Sequence, residues 1–428
     1  MPITNIKPFK AIIYNQEKIK DLSRVVCPPY DVISPEKQQY YHDLDLHNLI
    51  HIILRKDNPA EDKYKVAGVT FNEWFKDKIL IEDQKSAVYF YSQQYNIRGE
   101  KKRRLGFIAL LRLGDENSAV YGHEHTRLPA KEDRLRLLKQ VKANLSPIFC
   151  VFLDHKRIIQ RLYEQHIQSK APFVDITDNE KTVHKLWRID SPEILANIQK
   201  SMSGENIFIA DGHHRYEVAC NYRELMRQRL KGPSSAEESF NYILSYFTNT
   251  DPRGLSILPI HRLVKLVKKT DLEDFKLKLK NHFDIDEFKD KAKFFFLMEK
   301  GGLTEHVIGI YRDKKYFLLR LKNIKILDKE IQDKSKEYKS LDVSILNTLV
   351  LQKILGLSLE DKERLKFSPD TDELIKEVDN NPDTIAFFLN PVKFEQIVQL
   401  SLKGERMPAK TTYFYPKVLS GLVINKLK

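Results

Sequence analysis

Cysteine is scarce in this chain, and long apolar runs are absent from it. The three cysteines, Cys27, Cys150 and Cys220, lie far apart and are odd in number, which excludes a disulfide framework and a CxxC metal site. No run of about 18 apolar residues occurs, and the N-terminal residues lack the apolar core of a secretion signal. We therefore expect neither a membrane span nor export, and the cysteine usage favours a reducing, cytoplasmic location.

The glycine-rich loops of several large enzyme classes are also missing. Only 15 glycines occur, and none of them forms the G-x-x-x-x-G-K-[ST] loop that cradles phosphates in P-loop proteins. No G-x-G-x-x-G segment follows a predicted strand, which excludes the usual dinucleotide-binding fold. The absence of G-x-S-x-G excludes the nucleophile elbow of α/β-hydrolases. A phosphate site in this chain must therefore be built in another way.

The composition is that of an ordinary folded protein with a positive net charge. Apolar residues make up 42% and charged residues 31% of the 428 residues, and at roughly 100–200 residues per domain this length predicts two or three domains. Lys and Arg number 72 and Asp and Glu 59, a net charge of +13, so anions are expected partners. The cations are spread out and no helix-turn-helix is found, so nucleic acid is less favoured than a small anion. The sequence is compatible with a homodimer.

The spacing of apolar residues predicts an α/β (α+β) protein in three parts. Strands and helices succeed one another in an N-terminal α/β segment at 1–115 and in a core segment at 116–264. The Lys-rich, Gly-poor remainder predicts a C-terminal α+β domain at 265–428. The helices expected in that domain lie near 271–281 and 341–355, and the strands near 293–298, 306–311 and 315–321.

The densest polar cluster follows a short apolar strand. The segment Asn-Ile-Phe-Ile-Ala leads through Asp211 and Gly212 into a strongly periodic helix. A strand, a glycine turn and a helix start place unpaired backbone N–H groups where an anion can bind. His213, His214 and Arg215 add donors suited to phosphate or carboxylate. Asp211 can hold a metal ion or orient a hydroxyl group; the structural alternative is that it only caps the helix.

A second polar cluster lies in a loop before a predicted helix, where side chains are free to meet a ligand. Glu124 stands between His123 and His125, and Thr126 and Arg127 follow. A glutamate among cationic groups can accept a proton, so Glu124 is the predicted general base. We expect His123, Thr126 and Arg127 to contact the substrate. Two alternating histidines leave a structural zinc site open as an alternative, although the segment is not HExxH on a helix.

Three smaller signals supply further candidate residues. Asp31 follows a Pro-Pro-Tyr turn that could hold it at the rim of a pocket, and the alternative is a packing turn. His261 and Arg262 place two cationic groups together near the start of the C-terminal domain, either as substrate contacts or as surface residues. Lys410 and Thr411 have the order used to grip phosphate, without a glycine-rich loop, and we expect them to bind nucleotide phosphate.

The strand-to-helix segment resembles the nucleotide-binding motif of the ParB and sulfiredoxin superfamily. Here it reads Ala-Asp-Gly-His-His-Arg, which is similar to the version found in archaeal free-serine kinases. Those enzymes also carry a His-Glu pair before their first helix, which in this chain would be His123 and Glu124. The resemblance implies a ParB/sulfiredoxin-like nucleotide-binding core at 116–264, with Glu124 as the base and Asp211 as a second catalytic carboxylate. We expect these two carboxylates to line one pocket.

Five motifs in order make the chain similar to a large bacterial family known as domain of unknown function 1015. The motifs are Pro-Pro-Tyr-Asp-Val-Ile, His-Glu-His-Thr, Ala-Asp-Gly-His-His-Arg, Leu-Pro-Ile-His-Arg-Leu and Lys-Thr-Thr-Tyr-Phe-Tyr-Pro-Lys. Together they extend over nearly the whole chain, from its first segment to its last.

The predicted function is transfer of a phosphoryl group from a nucleotide to the hydroxyl group of a free amino acid, most favourably L-serine. ATP or ADP is the expected donor, and Mg²⁺, held by Asp211, is the expected metal. The expected partners are therefore a nucleotide and a small-molecule substrate. Two alternatives stay open at this point: a nucleotide-binding regulatory protein of ParB type, and a phosphohydrolase that uses water as the acceptor.

Overall fold

A computed structural model describes residues 4–114, 118–230, 235–266 and 272–427. The chain divides into two compact units. The first contains Met1–Gly122, Thr126–Ser256 and Pro416–Lys428, and the second contains His123–His125 and Ile257–Tyr415. The boundary predicted between residues 115 and 116 lies outside the described residues.

The strands are short and numerous. They are β1 Ile6–Lys7, β2 Ile12–Tyr14, β3 Leu80–Glu82, β4 Val88–Ile97, β5 Glu100–Arg112, β6 Val120–Gly122, β7 Ala143–Asn144, β8 Ile148–Phe152, β9 Val174–Thr177, β10 Val183–Ile189, β11 Ile207–Asp211, β12 Tyr242–Asn249, β13 Ser256–Pro259, β14 His261–Lys265, β15 Phe283–Phe288, β16 Val307–Arg312, β17 Lys315–Leu321, β18 Leu365–Ser368, β19 Thr384–Phe388, β20 Thr412–Tyr415 and β21 Asn425–Lys426.

The helices connect these strands. They are α1 Pro35–Leu44, α2 Ile50–Ile53, α3 Lys63–Lys76, α4 Leu128–Val141, α5 Ile158–Leu162, α6 Pro192–Met202, α7 His213–Arg229, α8 Leu272–Lys280, α9 Lys291–Gly301, α10 Ile326–Glu330, α11 Lys336–Lys339, α12 Asp342–Ile345, α13 Thr371–Asn380 and α14 Phe394–Leu402. Among the described residues, no helix is both long and apolar enough to cross a bilayer.

A nine-stranded mixed sheet organises the first unit. Its order is β6-β11-β8-β12-β5-β4-β10-β9, and β1 pairs with β5 beside this path. The β11–β6 and β12–β8 pairs are parallel, whereas β4, β5, β10 and β12 form antiparallel pairs. Strands from the two segments predicted at 1–115 and 116–264 thus pair within one sheet. Their buried faces, which include Phe107, Cys150 and Phe247, form the main apolar core.

The longest hairpin of this sheet follows directly from the sequence. Arg98 and Gly99 both have positive φ angles, as a two-residue hairpin loop requires, and they connect β4 to β5. The start of α1 is also set by local sequence, because the Ser34 side chain accepts a hydrogen bond from the backbone of Lys37 and Pro35 is the first residue of the helix.

A six-stranded antiparallel sheet organises the second unit. Its order is β15-β17-β16-β19-β14-β18, and α9 and α13 supply apolar side chains to its core. The strand predicted near 293–298 is wrong, because these residues lie within helix α9. The side chains of Phe294 and Met298, four residues apart, are buried, whereas Phe296 between them is 56% exposed, which is helical periodicity.

One mixed sheet and one antiparallel sheet, combined with helices, confirm the predicted α/β (α+β) class. The last segment, Pro416–Lys428, belongs to the first unit, although the composition grouped it with the C-terminal domain. There β21 pairs with β7, and Ile424 forms a bridge to Ile12 near the start of the chain. The final residues therefore complete the unit that carries the Asp211 turn.

Candidate functional site

The turn between β11 and α7 is built around a glycine. Strand β11 is buried between β6 and β8 and ends at Asp211. Gly212 has a φ of +93°, and a Cβ atom added there would lie 2.9 Å from both the Arg215 guanidinium carbon and Ile148 Cγ2. Only glycine combines this conformation with this space. Helix α7 begins at His213, so the first backbone N–H groups of the helix, which have no intrahelical partners, lie directly after the turn.

Asp211 lies between two cations. Its Oδ2 accepts a hydrogen bond of 2.6 Å from Arg215 Nη2, and its Oδ1 accepts one from Lys417 Nζ. All three side chains are about nine-tenths buried. Burial alone would raise the pKa of Asp211, but the charges of Lys417 and Arg215, together with the hydrogen bond from Lys417, lower it to about 2. The ionised triad therefore carries one net positive charge at neutral pH.

Arg215 retains an unused donor. Its Nη1 donates to the carbonyl oxygen of Pro147 and its Nη2 to Asp211, whereas its buried Nε has no hydrogen-bond partner among the described residues. A buried donor without an acceptor costs about 1–3 kcal/mol. An acceptor that reached this nitrogen would remove that cost.

The Pro-Pro-Tyr turn lies on the same side of the first unit as Arg215. Tyr30 and Arg215 line one small cavity of about 70 Å³, together with Arg134 and Ser146. The Arg134 guanidinium lies 4.2 Å from the centre of the Tyr30 ring, a cation–π contact. Burial and the neighbouring Asp31 carboxylate raise the pKa of Tyr30 to about 12. The phenol therefore stays protonated at neutral pH.

Thr126 and Arg127 dock onto α7. The Thr126 hydroxyl donates to Glu217, which also accepts from Lys131 at 3.2 Å. The Arg127 backbone N–H donates to His214 Nε2 at 3.0 Å. The structure thus places these two predicted residues against α7, the helix that carries His214. His213, the first residue of that helix, is 4% exposed.

His123 and Glu124 lie in the second unit beside Thr412. The Thr412 hydroxyl donates to Glu124 Oε1 at 3.2 Å, and His123 Nε2 lies 3.1 Å from the same hydroxyl oxygen. A consistent proton arrangement has His123 Nε2–H donating to Thr412, which then donates to an ionised glutamate. Arg406 donates to the Glu124 carbonyl and so holds the main chain. Since Asp211 belongs to the first unit, the expectation that the two carboxylates share one pocket stays a prediction.

His261 and Arg262 are buried at the start of β14. His261 Nδ1 accepts from the backbone N–H of Leu389 at 3.2 Å. Arg262 is 1% exposed and donates to the carbonyl oxygens of Ile260 and Lys410. Burial lowers the pKa of Arg262 to about 9, and among the described residues no carboxylate pairs with it. These contacts brace the main chain, and a substrate role for either residue stays a prediction.

The remaining candidates occupy turns. Asp31 is exposed in a short helical turn, Tyr30–Val32, and its carboxylate has no hydrogen bond or ion pair within the part of the chain described. Lys410 is exposed, and the Thr411 hydroxyl donates to the carbonyl oxygen of Pro408. Both of the latter lie in the second unit, and their predicted phosphate contacts are untested.

Lys417 was missed by reasoning from the sequence. It lies in the same motif as Lys410, but Pro416 separates it from strand β20 and carries it into the first unit, where it pairs with Asp211. The signal available in the sequence was Pro416, which ends a strand directly before Lys417. It could not identify the partner, which lies 206 positions earlier in the chain.

The residues present do not form a magnesium site on their own. Both carboxylate oxygens of Asp211 are engaged by cations, and among the described residues no group of three or more His, Cys, Asp or Glu side chains is arranged to hold a metal ion. Mg²⁺ at kinase sites is held by one or two carboxylates together with substrate phosphates. Magnesium binding by Asp211 therefore stays a prediction.

Residues 6–344 match the family model described as "Protein of unknown function (DUF1015)". The chain belongs to this family. The five motifs therefore led to the correct family, and the family description carries no activity. No curated protein matches the chain.

Several solved structures are similar over much of the chain. A mutant of free serine kinase in complex with ADP covers 73% of this chain and 91% of its own, with a TM-score of 0.35 and 11% identity. A conserved hypothetical protein from Pyrococcus furiosus covers 73% and 92%, with a TM-score of 0.34 and 14% identity. C-terminally truncated SbnI from Staphylococcus aureus covers 73% and 85%, with a TM-score of 0.37 and 11% identity.

Proposed function

We propose that this protein is a small-molecule kinase. In this proposal the phosphates of ATP or ADP bind at the turn from Asp211 to Arg215, and the terminal phosphoryl group is transferred to the hydroxyl group of a free amino acid, with L-serine as the favoured acceptor. The motif resemblance suggested this reaction, and the support drawn from the structure is the chemistry of the turn itself.

The observation that carries the proposal is the unsatisfied guanidinium. Arg215 Nε is buried and has no hydrogen-bond partner in the described part of the chain. It lies at the first turn of α7, within a triad that carries net positive charge. A helix N-terminus and a guanidinium donor are both suited to phosphate oxygens. A phosphate at this turn would satisfy the Nε donor and offset the excess charge.

The low pKa of Asp211 assigns different roles to the two predicted catalytic carboxylates, Asp211 and Glu124. With a pKa of about 2, Asp211 is too weak a base to take a proton from a hydroxyl group at neutral pH. Its role is to fix Arg215 and Lys417, both of which it pairs with. General base catalysis therefore falls to Glu124, which already accepts one hydroxyl hydrogen bond, from Thr412.

The proposed step is a direct phosphoryl transfer. The acceptor oxygen forms a bond to the terminal phosphorus as the bond between that phosphorus and the leaving oxygen breaks, so ATP yields ADP, or ADP yields AMP. Glu124 takes the hydroxyl proton. Because such transfer depends mainly on positioning and charge neutralisation, Arg215, Lys417 and the start of α7 contribute by holding the phosphates.

A product screen tests the proposal. The full-length protein is incubated with ATP, ADP or CTP, Mg²⁺ and a pool of amino acids, and products are followed by mass spectrometry and ³¹P NMR, with Arg215→Ala as the matched variant. We expect a phosphorylated amino acid that requires Arg215. Inorganic phosphate without a phosphorylated acceptor would instead make the protein a phosphohydrolase. Nucleotide binding without turnover would make it a regulatory protein.

A further inference from the structure

The second unit contains a cavity that none of the proposed catalytic steps uses. Its volume is about 160 Å³, and a protein cavity of about 150 Å³ is large enough to bind benzene, which has six heavy atoms. Five stretches of the chain meet around it: 302–306 before β16, 340–343 at the start of α12, 389–393 before α14, Ile260 before β14 and Thr411 before β20.

Asp342 adds a carboxylate to the lining of the cavity. Asp342 lies on the wall with 19% of its side chain exposed, and its Oδ1 is 3.0 Å from His306 Nδ1. This hydrogen bond fixes the imidazole so that its other nitrogen remains for a ligand. Burial raises the pKa of Asp342, whereas His306 and the charge of Lys393 oppose that rise. A cationic ligand group beside Asp342 would further favour its ionised form.

Lys393 adds a positive charge to the lining of the cavity. Lys393 precedes the first residue of α14, and its Nζ donates a hydrogen bond to the carbonyl oxygen of Leu303 at 3.3 Å. Among the described residues no carboxylate lies within ion-pair distance of Lys393. The nine-residue helix α14 adds the positive end of its dipole at the same wall. Glu305 also lines the cavity, but its carboxylate is engaged by Arg320 at 2.6 Å.

We infer that this cavity of the second unit binds a small zwitterion of the α-amino-acid class. The ligand ammonium group lies against Asp342, and the ligand carboxylate lies against Lys393 and the start of α14. Ser340, Thr304 and Asn390, which carry hydroxyl and amide groups, also line the cavity. A serine-sized molecule, with seven heavy atoms, matches the cavity volume on the scale of the benzene cavity.

Calorimetric titration of the full-length protein with glycine, L-alanine, L-serine, L-threonine and L-aspartate tests this inference. Ethanolamine lacks the carboxylate and glycerate lacks the ammonium group, so both should bind at least about tenfold more weakly than L-serine. Lys393→Ala, at an exposed position, and Asp342→Asn should each weaken binding to a similar extent. Lys278→Ala, which removes an exposed lysine paired with Asp274 on α8, should leave binding unchanged.

The outcomes distinguish amino-acid binding in this cavity from binding at the acceptor site of the proposed kinase. Binding that survives Lys393→Ala but is lost in Glu124→Gln would assign the amino acid to the phosphoryl acceptor site and overturn the inference. Equal affinity for glycerate and L-serine would also overturn it, since the cavity would then select only an anion. Amino-acid binding that depends on Lys393 in a protein without kinase activity would refute the proposed function and support this inference. If Asp342→Asn fails to fold, Lys393→Ala decides the result alone.

Discussion

At the residue scale, the two cations that pair with Asp211 limit its chemical role more than its position in the motif does. A carboxylate after a strand can cap a helix, hold a metal or act as a base, and the sequence left these roles open. In the structure both oxygens are engaged, by Lys417 and Arg215. The carboxylate therefore positions two cations, and the free hydrogen-bonding capacity of the cluster belongs to Arg215.

Replacing Arg215 tests whether this capacity binds nucleotide. Charge-assisted hydrogen bonds contribute about 1.5–3 kcal/mol each, so Arg215→Ala should weaken ATP or ADP affinity about tenfold or more, as measured by calorimetric titration. Arg229→Ala is the matched control, because Arg229 is an exposed arginine at the end of the same helix. Equal affinity of both variants and the unaltered protein would remove the turn from the nucleotide site.

The pKa of Asp211 predicts a pH dependence of stability. A folded-state pKa of about 2 lies below the usual value of about 3.9, so the ionised carboxylate stabilises the folded protein, by about 2 kcal/mol, above pH 4. That contribution is lost as the pH falls from about 4 towards 2. Asp211→Asn should lower the free energy of unfolding at pH 7, and the deficit should shrink at pH 3.

Urea denaturation at both pH values measures this effect. Asp175→Asn serves as the control, because Asp175 is in a half-exposed pair with Lys185 and surface pairs contribute about 0–1 kcal/mol. A deficit in Asp211→Asn that is the same at pH 7 and pH 3 would show that Asp211 is not held ionised by its neighbours.

At the element scale, the strand-turn-helix junction and the β4–β5 hairpin could be predicted because their signals are local. Glycine supplies positive φ angles at both, and apolar periodicity changes on either side of each turn. Helix α9 was missed for the opposite reason. Its Phe-Phe-Phe run has strand-like composition, and only packing against the sheet of the second unit selects the helix, where Gly309 leaves room for Phe294.

Gly212, at the junction between β11 and α7, gives a prediction for the whole strand-turn-helix element. Gly212→Ala adds a Cβ at a φ of +93°, 2.9 Å from two side-chain atoms, so we expect a loss of stability of about 1–3 kcal/mol, together with weaker nucleotide binding as Arg215 is displaced. Melting temperature and nucleotide titration measure the two effects. Gly204→Ala is the control, because a Cβ there meets no atom within 4 Å; a similar response in both variants would contradict the role assigned to Gly212.

At the scale of the whole molecule, the parts that the sequence could not predict are those that depend on distant pairing. The segment after Pro416 joins the first unit, and Lys417 there pairs with Asp211. His123–His125 belongs to the second unit, although the residues on both sides of it belong to the first. Composition and periodicity describe only residues that are close in sequence, so they cannot show that a short segment belongs to a different unit from its neighbours. The motifs identified candidate residues, and the three-dimensional fold showed which of them lie together.

The last prediction concerns Glu124 and distinguishes nucleotide binding from the chemical step. Glu124→Gln keeps the shape of the side chain and its contact with Thr412 but removes its basicity. Since a general base contributes about 10²–10⁴-fold, kcat for phosphoryl transfer should fall by that order, while nucleotide Kd changes little because the phosphates are assigned to the Asp211 turn. Both constants are measured on one preparation whose melting curve matches that of the unaltered protein. Retained turnover with lost nucleotide affinity would make Glu124 a ligand contact, and Asp31 would become the next candidate for the base.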